Sequence, residues 1–158
     1  MKFAVFLDID GVLNTRTTCE HTPDGYTGID DARVEILAKA IKKYESVDLI
    51  LSSDWKEMSP EEDDYIYLCS KLEKYGLHLS GKTVDHWNNR GEGICKYLEE
   101  HPEIEDFVIL DDNQFEFKDF EKLWERLLIT DGIERVKFAS NTPAIETIIF
   151  RDYIRLFS

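Results

Sequence analysis

Residues Phe3 to Leu7 are an apolar run that ends in two carboxylates one residue apart, Asp8 and Asp10, with Gly11 directly behind. Such a run fits a strand buried on both faces, the kind found in parallel sheets covered by helices. Delivering acids at the carboxyl end of a buried strand is costly unless something cationic meets them. Like charges packed together raise each other's proton affinity, and a divalent cation held by hard oxygens is the usual remedy. The stretch therefore asks for a metal.

The 158 residues are enough for one domain with a real core, expected to span 1–158. Lys and Arg number 19 against 33 Asp and Glu, a formal charge of −14 that works against non-specific binding to nucleic acid or anionic membrane. It leaves a phosphate substrate open, because a metal and a few local cations reverse the field inside a cleft. Cys19, Cys69 and Cys95 are odd in number and widely spaced, which implies reduced thiols rather than a disulfide framework. Cys19 and His21 are too isolated to argue for zinc. The first apolar run is too short for a signal peptide or a membrane span, so the expected location is cytoplasmic, with no membrane partner.

Short apolar runs alternate with longer amphipathic ones, the pattern of βα units around a parallel sheet. The expected class is α/β, a three-layer α/β/α sandwich with a Rossmann-like parallel sheet. Strands are expected at Lys2 to Leu7, Val47 to Leu51 and Phe107 to Leu110, with shorter ones at Leu127 to Ile129 and Val136 to Phe138. Leu77 to Val84 reads as a further extended segment. Val34, Leu37, Ala38 and Ile41 recur at helical spacing behind an Asp30 or Asp31 cap. Ser59-Pro60-Glu61-Glu62 reads as a helix start, running to Tyr75 with Gly76 closing it. Further helices are expected from Gly91 to before Pro102, at Phe120 to Trp124, and from Pro143, the last with Ile145, Ile148 and Ile149 turned to the core.

Ligands of open parallel sheets bind beyond the carboxyl ends of the strands. Three expected strands end there in polar residues: Asp8 and Asp10, Ser52 and Ser53, Asp111 and Asp112. One such ending is an ordinary turn. Three at the same end are a constellation.

In this order the stretches Asp8-Ile9-Asp10-Gly11-Val12, Leu49-Ile50-Leu51-Ser52-Ser53, Arg90 and Val108-Ile109-Leu110-Asp111-Asp112 resemble the four motifs of the haloacid dehalogenase-like (HAD) superfamily. Phe6 to Asn14, Leu51 to Lys56 and Ile129-Thr130-Asp131-Gly132-Ile133 are similar to a subgroup of small capless HAD domains associated with RNA repair proteins. The resemblance implies a Mg²⁺-dependent phosphomonoesterase. Asp8 would be the nucleophile that forms an aspartyl-phosphate, and Asp10 the acid and then base that permits turnover. Mg²⁺ would be held by Asp8, the backbone carbonyl of Asp10, and Asp112 or Asp111, with Asp112 the first choice and Asp111 in support. Ser53, two residues before Trp55, is preferred to Ser52 as the phosphoryl ligand. Arg90 would neutralise the transferring group, with Lys82 as the competing cation.

The gaps Leu13 to Gly28 and Trp55 to Asn89 leave room for a loop or flap and one helix, so the site should be open. The implied partner is a phosphorylated substrate, extending to a nucleotide or nucleic-acid end. Arg16, Lys56, Trp55 and Trp87 are candidates for its rim, the indoles for stacking on a base or sugar. Two rival readings stand beside this one. One is a non-catalytic phosphate-binding or scaffold domain of the same fold; the other is a receiver-type signalling domain, which the Asp-x-Asp-Gly arrangement fits poorly. The sequence leaves the oligomeric state open.

Overall fold

In the computed structural model, which describes residues 2–86 and 89–158, strand β1 is Lys2–Leu7 and lies at the middle of a six-stranded sheet. The others are β2 (Val47–Leu51), β3 (Leu79–Lys82), β4 (Ile104–Asp111), β5 (Leu127–Thr130) and β6 (Val136–Phe138). Their order across the sheet is β3-β2-β1-β4-β5-β6, all neighbours parallel except β6, which runs antiparallel to β5. The helices are α1 (Asp31–Ile41), α2 (Asp63–Glu73), α3 (Arg90–Glu100), α4 (Glu121–Trp124) and α5 (Ile145–Phe157), with a 3₁₀ turn at Asp54–Glu57.

Strand alternation sorts the core into two layers. Phe3, Val5 and Leu7 of β1 join Leu49, Leu51, Val108 and Leu110 on one face, under Val34 and Leu37 of α1, Leu68 and Leu72 of α2, and Phe150 and Ile154 of α5. Ala4 and Phe6 join Ile50, Phe107 and Ile109 on the other, under Ile94 and Tyr97 of α3 and Leu123 of α4. The three-layer α/β sandwich follows from that division. Continuing the alternation two residues beyond Phe6 and Ile109 puts Asp8 and Asp111 on the α3 face.

Two expected details differ. Ser59 to Glu62 form a turn rather than the first turn of a helix: the Glu62 carboxylate accepts from Ser59 N–H, and Glu62 itself is extended, so α2 starts at Asp63. On α5 the buried residues are Thr147, Phe150 and Ile154, while Ile145 and Ile148 face outward. The helix docks through Thr147, Phe150 and Ile154, spaced i, i+3, i+7, not through Ile145 and Ile148, and Ile149 is half-buried.

Residues 15–28 form a flap beside the carboxyl ends of β1 and β2, closed on itself by a His21–Thr27 bridge. Helix α2 ties it down. Tyr67 Oη donates to Glu20 at 2.7 Å and accepts from Ile29 N–H, Lys71 pairs with Glu20 at 2.6 Å, and Asp64 accepts from Asp24 N–H. No helix among the described residues is long and apolar enough to cross a membrane.

Candidate active site

The strand that delivers Asp8 is paired on both sides, to β2 and β4, and its last residue is buried. Asp8 N–H donates to Leu110 O, so the two acid-bearing strand ends are joined by a backbone bond. Ligand oxygens of Asp8, Asp111 and Asp112 all lie within 4.8 Å of one another. Asp8 and Asp111 are buried, and Asp112 opens to solvent.

Arg90 enters this cluster from the first turn of α3. Its Nη1 lies 2.8 Å from Asp111 Oδ2 and 3.3 Å from Asp8 Oδ2, and its Nη2 lies 3.5 Å from Asp54. Asn89 caps the helix, accepting from Glu92 N–H, and Glu116 accepts from Arg90 N–H. Asp111 is further held by Asn113 N–H at 2.8 Å. Burial, then the neighbouring Asp111, pushes the Asp8 carboxyl well above the usual carboxylate range against the pull of Arg90. Burial raises Asp111 as well, to about 6. Burial works against the Arg90 charge, but Asp8 and Asp111 more than offset it and hold the guanidinium protonated. One cation does not balance three carboxylates. The donor set, hard oxygens with surplus negative charge, fits a magnesium-sized ion.

Gly11 makes the third acid possible. It sits at φ +83°, and a Cβ there would run into the Asp112 carboxylate. Only glycine offers both that backbone and that clearance.

Asp10 stands apart from the cluster. Its exposed side chain accepts from Asn14 Nδ2 at Oδ1 (2.9 Å) and from the indole Nε1 of Trp55 at Oδ2 (3.1 Å). Asn14 is buried, with its Oδ1 accepting from Gly11 N–H and its Nδ2 also donating to Gly28 O. Ser53 Oγ accepts from Trp55 N–H at 3.2 Å and so caps the 3₁₀ turn that carries the indole. Ser52 is fully buried beside it.

Other candidates go elsewhere. Lys82 donates to the backbone carbonyl of Lys56 at 3.0 Å. Lys56 is not a rim residue: it is buried in a 2.8 Å ion pair with Asp85. Trp55 is mostly buried and its indole N–H is spent on Asp10, while its exposed edge lines the cleft beside that residue. Trp87 lies outside the described residues. Arg16 does line the open cleft of about 1620 Å³ beside Asp10, with Tyr26, Arg33 and Arg135. Sequence reasoning gave Asn14 no role, although its spacing of four from Asp10 was a usable signal.

Strand order reverses between β1 and β4, and the acids meet at that switch point. Sheet and acid cluster together define an α/β fold of the HAD-like, Rossmann type. Residues 4–134 match the family model described as the HAD domain in Swiss Army Knife RNA repair proteins, and the chain belongs to that family. No curated protein and no solved structure matched it.

Proposed function

We propose that the chain is a Mg²⁺-dependent phosphomonoester hydrolase working through Asp8. The observation that carries this reading is the meeting of Asp8, Asp111 and Asp112 within 4.8 Å, with Arg90 against two of them.

A carboxylate oxygen of Asp8 attacks phosphorus as the ester P–O bond breaks, and Asp10 gives its proton to the departing alkoxide. Asp10 then takes a proton from water, whose oxygen attacks the aspartyl-phosphate and releases inorganic phosphate and free Asp8. Arg90 compensates charge on the equatorial oxygens, and Ser53, whose Oγ already accepts from Trp55 N–H, keeps its own proton for one of them. Mg²⁺ held by Asp8, Asp112, Asp111 and the carbonyl of Asp10 would supply Lewis-acid neutralisation of the phosphoryl group.

The substrate class we favour is a nucleotide or nucleic-acid end. Membership in a family of RNA repair domains supports it, as does a cleft large enough for a nucleotide. The net charge of −14 favours an end over a long duplex. The test is phosphate release from a 3′-phosphorylated oligonucleotide and from simple phosphomonoesters, by wild type and Asp8→Asn, with Mg²⁺ and with chelator. Loss of release in both the variant and the chelated sample is expected. Undiminished activity of Asp8→Asn would overturn the assignment.

A further inference from the structure

The carboxylate of Asp10 is exposed, yet both of its oxygens are taken by N–H donors from different parts of the chain. A free surface aspartate rotates among rotamers, and holding one in a single orientation costs entropy unless the fold supplies the contacts. Here the contacts are built in depth. Asn14 is locked as a donor toward Asp10, because its Oδ1 faces Gly11 N–H and its Nδ2 faces the carbonyl of Gly28. Trp55 is seated in the core, with its backbone fixed by Ser53.

We propose that Trp55 and Asn14 are positioning residues that hold the Asp10 carboxylate where it meets the oxygen leaving phosphorus. The inference rests on the phosphatase reading above. It gives Ser52-Ser53-Asp54-Trp55 a second task besides phosphate binding: its indole joins the end of β2 to the proton carrier on β1's loop. Each carboxylate oxygen keeps one lone pair beyond the N–H it accepts, so proton transfer is still possible in the held orientation. Preorganising a group that acts only in the transition state raises rate rather than substrate affinity.

The test uses leaving groups. Protonation by Asp10 matters for an alkoxide and hardly at all for 4-nitrophenolate, which leaves unaided. Values of kcat/KM, which report events up to departure of the leaving group, are compared for ethyl phosphate, phenyl phosphate and 4-nitrophenyl phosphate. Trp55 is replaced by 3-benzothienylalanine, which keeps the ring shape and removes the N–H, and Asn14→Leu removes the facing donor at nearly constant size without adding charge. Asp10→Asn sets the full effect. Both variants are expected to lose about 10- to 100-fold on ethyl phosphate and under about 3-fold on 4-nitrophenyl phosphate, part of the general-acid contribution.

An equal loss on all three substrates would mark a merely structural role and overturn the inference while leaving the phosphatase reading intact. Wild type inactive on all three, and on the oligonucleotide, overturns both. A readout apart from turnover is the indole Nε1–H proton resonance of Trp55, identified by its absence in Trp55→Phe. It is expected to move when Asp10 becomes Ala, and an unmoved resonance counts against the bond itself.

Discussion

The hydroxyl of Thr130 donates to the carbonyl oxygen of Gly11 at 2.7 Å, joining positions 119 residues apart in the chain. Gly132 N–H reaches the same oxygen at 2.8 Å, and Ile133 N–H reaches Val12 O. The end of β5 thus holds the loop that carries Asp10 and Gly11. Thr130→Val keeps the shape and removes one donor. It is expected to cost about 1 kcal/mol in urea unfolding.

Arg90 stands between two buried carboxylates, so its loss does more than remove a charge from a cleft. Arg90→Ala should destabilise the metal-free protein by about 3–5 kcal/mol, the scale for stranding one side of a buried pair. Arg90→Lys keeps the charge but not the planar fork, and should fall between. Denaturant titration checks both, and added Mg²⁺ is expected to narrow the gap between Arg90→Ala and wild type.

The excess negative charge of Asp8, Asp111 and Asp112 predicts stabilisation by the metal alone. At a hundredfold excess over Kd, Mg²⁺ should raise Tm by roughly 5–10 °C, and chelator should reverse it. Asp112→Asn should remove most of that shift. Protons compete for the same oxygens, and Asp111 titrates near 6, so the Mg²⁺ shift should weaken as pH falls through that value.

Much of the fold was legible because its strands are continuous apolar runs between helical spacings. β1, β2 and β6 have the expected bounds, and the acids converge because parallel strands must end on one side. What failed depended on partners far along the chain. The start of α2 is the exception, set locally: the Glu62 carboxylate turns back onto Ser59 N–H while the Glu62 backbone stays extended. Nothing local in Trp55 says that its N–H will find Asp10 rather than its ring a base. The core face of α5 was misread because Ile is apolar wherever it stands, and only docking shows that Thr147 lies inward.

A pH effect follows from Arg33, which binds Glu134 through Nε at 2.9 Å and Nη2 at 2.7 Å. Burial opposes the Glu134 charge, but the Arg33 bonds outweigh it and hold the carboxyl below its ordinary value. A depressed carboxylate stabilises the fold above its unfolded value, near 4.5, and that stability is lost as pH falls through the folded value. Glu134→Gln should therefore lower Tm at pH 7, and the difference from wild type should shrink below the unfolded value and close as pH falls through the lower folded one.

The flap, fastened to α2 at Glu20, Asp24 and Ile29, behaves as a wall rather than a door. A site with a fixed wall cannot choose its substrate by shutting on it. Selection then falls to contacts made at the open mouth, and under the proposed mechanism water would reach a phosphorylated Asp8 without waiting for anything to move.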